Sequence, residues 1–383
     1  MSFPPTLTPD QFPAYIDACA QGRVQTRFTL LDRDHHRLRQ LDPVAVDGQI
    51  DFTDGPTRRV LTCGFLDPDH TLGLDTGSPT DALGGIGVLI AAHQDVLVDG
   101  TWHSTPMGVF QPSTPTADGV QVTMEAQDKS VWHLRGVPAT SIPKNTNEVE
   151  AIRAGLLATG ETRLRFPAPG TYKGVTQDKV PVGGDDEDNQ PWLVWQRLAA
   201  HQSLQLYYDG EGYATLRPKP TAETATPLVI FDDTTLVGLP SRTTDLTAIH
   251  NKLIGFGIRH SDTVTRRVPA WSEVSPENLA IGGVPWENIA FESAELTRKK
   301  LGPWADTRIG EVSRQEVGHE FNAVPAYWME PDDWCVMVRY GRRIGFPLST
   351  GTIPLGAAGG PMSVGFNAHR RAASSGLVGV SAA

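Results

Sequence analysis

Asp32, Asp34, His35 and His36 crowd into five consecutive positions, and imidazoles beside carboxylates are the donor set of a transition-metal site. Their spacing argues against it. The run falls between two alternating polar-apolar stretches, where a hairpin turn belongs, and adjacent histidines on extended backbone point to opposite faces. Both cannot reach one ion without distortion, so the group reads as a solvated turn.

His319-Glu320 opens like the zinc-protease signature HExxH, but position 323 is Ala, which removes the second ligand. The segment also has the pattern of a strand where that chemistry needs a helix. Asp185, Asp186, Glu187 and Asp188 concentrate charge between Gly184 and Asn189. A calcium loop would place its oxygens at alternating positions around a sharp glycine turn, so this run reads as a flexible acidic loop. The glycines of GGIG, 84–87, precede an apolar strand instead of a helix and build no phosphate cradle. No GxSxG elbow, P-loop or GxGxxG occurs. The 44 acids leave a glycosidase pair without any ordered candidate. Nine tryptophans could stack sugars, although packing is the commoner use of that side chain. No catalytic, cofactor-binding or metal-binding residue is assigned, and no cofactor is expected.

The elements that would position any site are mostly strands. Residues 8–20 read as a short amphipathic helix, with Thr8 as N-cap, Pro9 in the first turn, Gly22 closing it, and Phe12, Ile16 and Cys19 on one face. From Val24 to about Thr140, alternating stretches are separated by turn signals, including Asp47-Gly48, Asp67-Pro68-Asp69 and Asp99-Gly100. Residues 86–110 hold three expected strands. Residues 147–160 then show helical spacing, with Val149, Ile152, Leu156 and Leu157 as the stripe and Gly160 as the stop. A second helix spans 191–204 behind Pro191. A hairpin turning at Asp209-Gly210 follows and ends at Pro218. Strand patterning resumes near Leu228, TRKKLGPWAD (297–306) reads as a loop or short turns, and Pro331-Asp332-Asp333 marks another turn. The order is β-rich, α+β, β-rich.

Composition agrees. The chain has 383 residues with 38 Gly and 30 Pro, about 18% turn-formers against a background of roughly 12%. The formal charge is −11, with no Lys/Arg cluster, which argues against binding duplex DNA through its phosphates. No apolar run is long enough to span a bilayer. MSFPPTLTPDQ lacks the basic and apolar regions of a secretory signal. The three cysteines, Cys19, Cys63 and Cys335, are too few and too scattered for a disulfide framework or a CxxC site, as expected of a protein made in a reducing cytoplasm.

Several stretches carry a resemblance. VQTRFTLLDRDHHRLRQL, TRRVLTCGFLDPD, GVLIAAHQDVLVDGTWHSTPMGVFQP and DGVQVTMEAQDKSVWHL follow one another. Within them stand Arg58-Arg59, Cys63, Asp67, Gly108-Val109-Phe110 and Asp128. This layout resembles minor tail proteins of siphophages of actinobacterial hosts, within the tail-hub (baseplate hub) family. YYDGEGYATLRP resembles that family's hairpin after its helix, and PDDWCVMVRYGRRIGFPLSTGTIPL resembles its closing strands. The likeness runs over most of 23–368. The 1–22 helix and segment 262–310 have no counterpart in it.

The resemblance implies a fold and a role. The fold is mainly β, with two tail-tube-like β-barrel domains, 23–143 and 228–368, flanking an α+β insertion, 144–227. Residues 1–22 form an N-terminal helical segment and 369–383 a C-terminal tail. Related hubs occur in contractile myophages and in type VI hub-spike proteins. The implied role is a non-enzymatic virion protein assembled in the host cytoplasm. As a homotrimer it would join a sixfold tail tube to a threefold tip and line the DNA channel. Its expected partners are the distal tail, tape-measure and tip or receptor-binding proteins, and its acidic charge would let ejected DNA pass without sticking. Two rivals stand beside it: a tail-associated carbohydrate-binding protein using the tryptophans, and a wall hydrolase using unordered acids.

Overall fold

The computed structural model describes residues 7–41, 48–53, 55–67, 87–113, 115–134, 137–184, 186–220, 226–244, 250–257, 262–270, 272, 275–280, 283–293, 298–313, 315–339, 341–356 and 360–370. The turn residues Asp47, Pro68 and Asp69, the glycine stretch at 84–86, Asp185, Trp271 and the tail from 371 onward lie outside the described residues. The chain divides into two compact units. One holds Met1–Gly238, Asn322–Arg339 and Pro347–Val364, the other Leu239–Phe321, Tyr340–Phe346 and Gly365–Ala383.

In the first unit, helix α1 (Phe12–Ala20) follows a 3-10 turn at Pro9–Gln11. The cap is the reverse of the expected one, because the Gln11 side chain accepts from the Thr8 backbone N–H at 3.0 Å. The buried face is Tyr15, Ala18 and Cys19, not Phe12 and Ile16. Tyr15 sets that rotation: its hydroxyl donates to the Pro325 carbonyl at 2.7 Å and its ring meets Trp328 edge-on.

Strands β1 (Val24–Leu31), β2 (Arg37–Leu41), β3 (Gly48–Phe52), β4 (Arg59–Leu66), β5 (Leu89–Val98), β6 (Thr101–Pro112), β7 (Thr116–Asp118) and β8 (Gln121–Asp128) follow. They pair in the order β3-β4-β8-β6-β5-β1-β2, with β7 on β8 and strand Thr350–Leu355 on β3. Buried residues alternate with half-buried ones along β1 and with mostly exposed ones along β8, as a half-covered antiparallel sheet requires. Residues 86–110 make two long strands where three were expected. Asp99 and Gly100, at φ +50° and +79°, form the tight type I′ turn that Asp-Gly favours, and one irregularity at Ala92/His93 carries β5 through.

The α+β segment contains β9 (Thr140–Ile142), α2 (Glu148–Ala158), β10 (Leu164–Arg165), β11 (Val180–Val182), α3 (Pro191–His201), β12 (Leu204–Tyr208) and β13 (Ala214–Pro218). Asn147 caps α2 by accepting from the Glu150 N–H at 3.0 Å. Val149, Ile152 and Leu156 pack against Trp192, Trp195, Leu198, Leu206 and Tyr208. Leu157 instead points to solvent, so the stripe is narrower than the sequence spacing suggests. The acidic run is ordered where described: Asp186 caps a 3-10 turn, Glu187–Asn189, that leads into α3. Strand β14 (Val229–Phe231) pairs in parallel with Trp334–Arg339.

In the second unit, strand Lys252–Phe256 lies between Thr263–Arg267, antiparallel, and Ile289–Ser293, parallel. Helix α4 (Arg298–Val312) packs on this sheet through Ala305, Ile309 and Trp304. The sequence suggests only a loop or short helical turns here, and Pro303 lies inside the continuous helix that forms. Burial of one face against the sheet outweighs the helix-breaking tendency of proline. A Cβ at Gly255 would lie 2.5 Å from the Trp304 ring, so the strand's missing side chain makes room for the helix. Elsewhere in this unit Phe346 stacks on Phe366 at 3.6 Å, and His319 stacks on Phe366 at 4.9 Å. His319 sits on strand Gln315–Ala323, the element its pattern predicted.

The architecture is mainly β with several sheets. Among the described residues no sheet closes into a barrel. No described helix is long and apolar enough to cross a membrane.

Candidate functional site

Arg59 begins β4 and Asp128 ends β8, and the β4–β8 register sets them side by side. The Asp128 carboxylate accepts from the backbone N–H groups of Arg58 (2.9 Å), Arg59 (3.0 Å) and Ser130 (2.9 Å). It therefore pins the strand start and caps the 3-10 turn Lys129–Trp132 together. Burial raises its pKa against those three amides.

Only 2% of the Arg59 side chain is exposed. It donates to the Met107 carbonyl at 2.9 Å, ion-pairs with Glu330 and lies over the Phe52 ring. Met107 precedes Gly108, whose φ is +151°. A Cβ there would come within 2.3 Å of the Phe110 ring, so glycine lets that ring fold back over its own strand.

Glu330 also accepts from the Gly210 N–H at 3.0 Å, at the turn of the β12–β13 hairpin. Asp333 accepts from the Glu330 N–H at 2.7 Å and from Arg217 at 2.7 Å, and Arg217 lies over the Tyr207 ring. Arg58 pairs with Asp332 at 3.2 Å. The Gln205 amide, oriented to satisfy both partners, donates to Asp332 at 3.0 Å and accepts from Arg217. Asp332 sits at φ +64°, in the turn expected there. Burial pushes the Glu330 and Asp333 carboxyls up, against Arg59 and Arg217 respectively.

A second cluster lies behind the first. Lys129, 1% exposed, places its Nζ 2.5 Å from Glu161 and 2.9 Å from His35 Nε2. Trp132 and Tyr208 present their ring faces to Nζ at 5.5 and 4.9 Å. The Tyr208 hydroxyl donates to Glu161 at 3.1 Å and lies 2.8 Å from His133 Nε2. The other Glu161 oxygen accepts from the Arg163 N–H at 2.8 Å. The His133 ring runs near-parallel to those of Trp192 (5.6 Å) and Tyr208 (6.2 Å), which stack on each other at 5.2 Å. Burial lowers the Lys129 amine despite Glu161, and it pushes His133 and His35 each down to about 3, helped by the Lys129 charge.

The expected solvated turn is thus half right. Asp32, Asp34 and His36 share its outer side, with donor atoms within 4.8 Å of one another. His36 is exposed and rests 3.1 Å from Asp32. His35, at φ +66°, turns inward onto Lys129, as two histidines on opposite faces must. Cys63 lies further along β4, and Asp67, just past its end, donates its backbone N–H to the Val120 carbonyl at 2.7 Å. The Cys63 thiol is buried, which pushes it up to about 12. Trp192 and Trp195 are core residues, whereas Trp102 is 47% exposed. Sequence reasoning missed Glu330, Arg217, Gln205, Glu161 and Lys129 as partners. Arg217 lies inside the YYDGEGYATLRP motif, Lys129 inside DGVQVTMEAQDKSVWHL, and Glu330 directly before the closing motif, whereas Gln205 and Glu161 carried no motif signal.

An open groove of about 740 Å³ runs beside the junction, lined by Pro56, Arg58, Leu193, Gln196, Leu206 and Asp332 among others.

No known family model and no curated protein matches this sequence. Solved structures do match. A tail protein from Neisseria meningitidis MC58 superposes with a TM-score of 0.58 at 8% identity, covering 90% of this chain and 97% of its own. The 43 kDa tail protein of prophage MuSo2 from Shewanella oneidensis gives 0.55 at 10% identity, covering 90% and 98%. A chain of the Francisella PdpA–VgrG complex gives 0.53 at 6% identity, covering 91% of this chain and 58% of that one. At these identities the likeness is one of fold: this chain has the fold of those two phage tail proteins, in keeping with the resemblance its motifs carry.

Proposed function

We propose that this protein is a structural component of a phage tail tip. It acts there as a baseplate hub, whose three copies close into a ring between a sixfold tail tube and a threefold tip and line the DNA channel. The observation that supports this reading is the end-to-end match with two tail proteins, which covers 90% of this chain and 97% and 98% of theirs. The convergence of the resemblance motifs on one junction adds to it. Arg58-Arg59, the Met107 carbonyl next to Gly108, Asp128, the 207–217 hairpin and Pro331-Asp332-Asp333 all meet there.

In this reading residues 23–143 and 228–368 are the two tube-like modules, 144–227 is the insertion that the junction holds to the first of them, and 1–22 and 369–383 are terminal segments. Completion of each barrel falls to neighbouring copies and tail proteins, which cover the open sheet edges. The distal tail, tape-measure and tip proteins are the partners, the virion is the location, and the net charge of −11 keeps phosphate contacts in the channel few. In this reading the source is a phage of an actinobacterial host, as the sequence resemblance suggests.

Mass photometry of the full chain, alone and with the tail-tube and distal-tail proteins of the same phage, tests it. A trimer or a closed ring is expected. A monomer under both conditions overturns the hub reading. The carbohydrate-binding alternative requires several exposed aromatics in one cleft, and the described tryptophans do not supply them.

A further inference from the structure

We propose that Lys129 and Glu161 condense into an intramolecular isopeptide bond, a covalent staple between the first β-sheet and the α+β segment. The amine and the carboxyl are 2.5 Å apart, both almost fully buried, and walled by Trp132 and Tyr208. A dry site penalises the ion pair relative to the neutral amine and acid, which differ from it by one proton moved along that contact. The lowered pKa of Lys129 has the same cause.

The groups around the pair fit the roles of an amide-forming site. His35 Nε2 lies 2.9 Å from Nζ, and its own depressed pKa keeps its lone pair available. Two donors hold the carboxyl: the Arg163 N–H on Oε1 and the Tyr208 hydroxyl on Oε2. The first is placed for the negative charge that develops on Oε1 in the tetrahedral intermediate, and the second holds the oxygen that leaves. Nζ attacks Cδ of the protonated carboxyl and the N–C bond forms. His35 takes one proton from the nitrogen and returns it to Oε2 as the Cδ–Oε2 bond breaks. Oε2 leaves as water, the amide keeps one N–H, and no oxidant or other reactant is needed. Fixed proximity in a water-poor site is worth many orders of magnitude in effective concentration, and the released water escapes to bulk.

Intact-mass spectrometry of the folded wild-type chain tests the proposal. The expected mass is one water below that of the sequence, and a protease digest yields a branched peptide joining the Lys129 and Glu161 segments. Lys129→Arg should restore the full mass. Glu161→Gln should release ammonia in place of water and give the same cross-linked product. His35→Gln should slow cross-linking at least tenfold in a time course started by refolding. A folded wild-type chain that keeps its full sequence mass and gives no branched peptide overturns the proposal and leaves the pair an ordinary buried ion pair.

Discussion

Two buried charged clusters in the first unit handle the same problem with different chemistry. The clasp around Arg59 spreads its charge over a planar guanidinium that bonds a backbone carbonyl and a carboxylate together. It ties segments as far apart in sequence as 59 and 330. The cell around Lys129 holds a point charge among ring faces, neutral imidazoles and one carboxylate. Arginine cannot shed its proton in a protein, so the clasp is a permanent ionic tie. Lysine can, so the cell is a place where protons move. The first is a mechanical joint, and the second has the makings of a reactive site.

The largest expected effect comes from breaking the clasp on one side. Arg59→Met leaves Glu330 without its cation and should cost about 3–5 kcal/mol of unfolding free energy. Adding Glu330→Met should recover most of that loss. Urea denaturation of both variants checks this, and equal losses in the single and double variants would show that the cost is packing, not charge.

Acid should attack the cell instead. His133 and His35 are neutral when folded, with values near 3 against 6.5 when unfolded. The unfolded chain therefore binds more protons, and stability falls as pH drops from about 6.5 toward 3. Buried His133 accounts for a loss on the order of 4 kcal/mol by pH 3. Thermal melts across that range of pH should show the decline, and His133→Phe should flatten it. Unchanged melting with the variant would mean that His133 does not control it.

Tyr208→Phe removes the hydroxyl shared by Glu161 and His133 and should cost about 1–3 kcal/mol, measured by the same denaturation. At the small end stands Arg165, whose pair with Glu211 is half exposed on both sides. Glu211→Gln should change stability by less than about 1 kcal/mol. A larger loss would place that pair in the clasp and not at its rim.

Local chemistry was legible before any fold was known. Asp99-Gly100 announced its hairpin because few other dipeptides accept two positive φ values. Asn147 and Pro191 stand at the starts of the helices that spacing predicted. Helix α4 was not legible, because Gly302-Pro303 signals a break and only the sheet beneath Trp304 and Ala305 reverses it. The clasp was half legible: the motifs named Arg58-Arg59, Gly108 and Asp128. Nothing in residues 330–333 reveals that they close on residue 59, since the partners lie 271 positions apart. His35 was misjudged for a related reason. A polar turn looks solvated until a lysine from a distant 3-10 turn is placed against one of its faces.

The sequence by itself determined the class of this protein: a mainly β chain, acidic, turn-rich and interrupted by two helices, with motifs in tail-hub order. Those properties come from neighbouring residues and from their periodicity, which act at short range along the chain. The tertiary structure decided which charges are buried, which histidine stays neutral and which lysine meets a carboxylate in a dry cell. Burial and long-range pairing belong to the packed molecule, because the cost of desolvating a charge exists only where other segments exclude water from it.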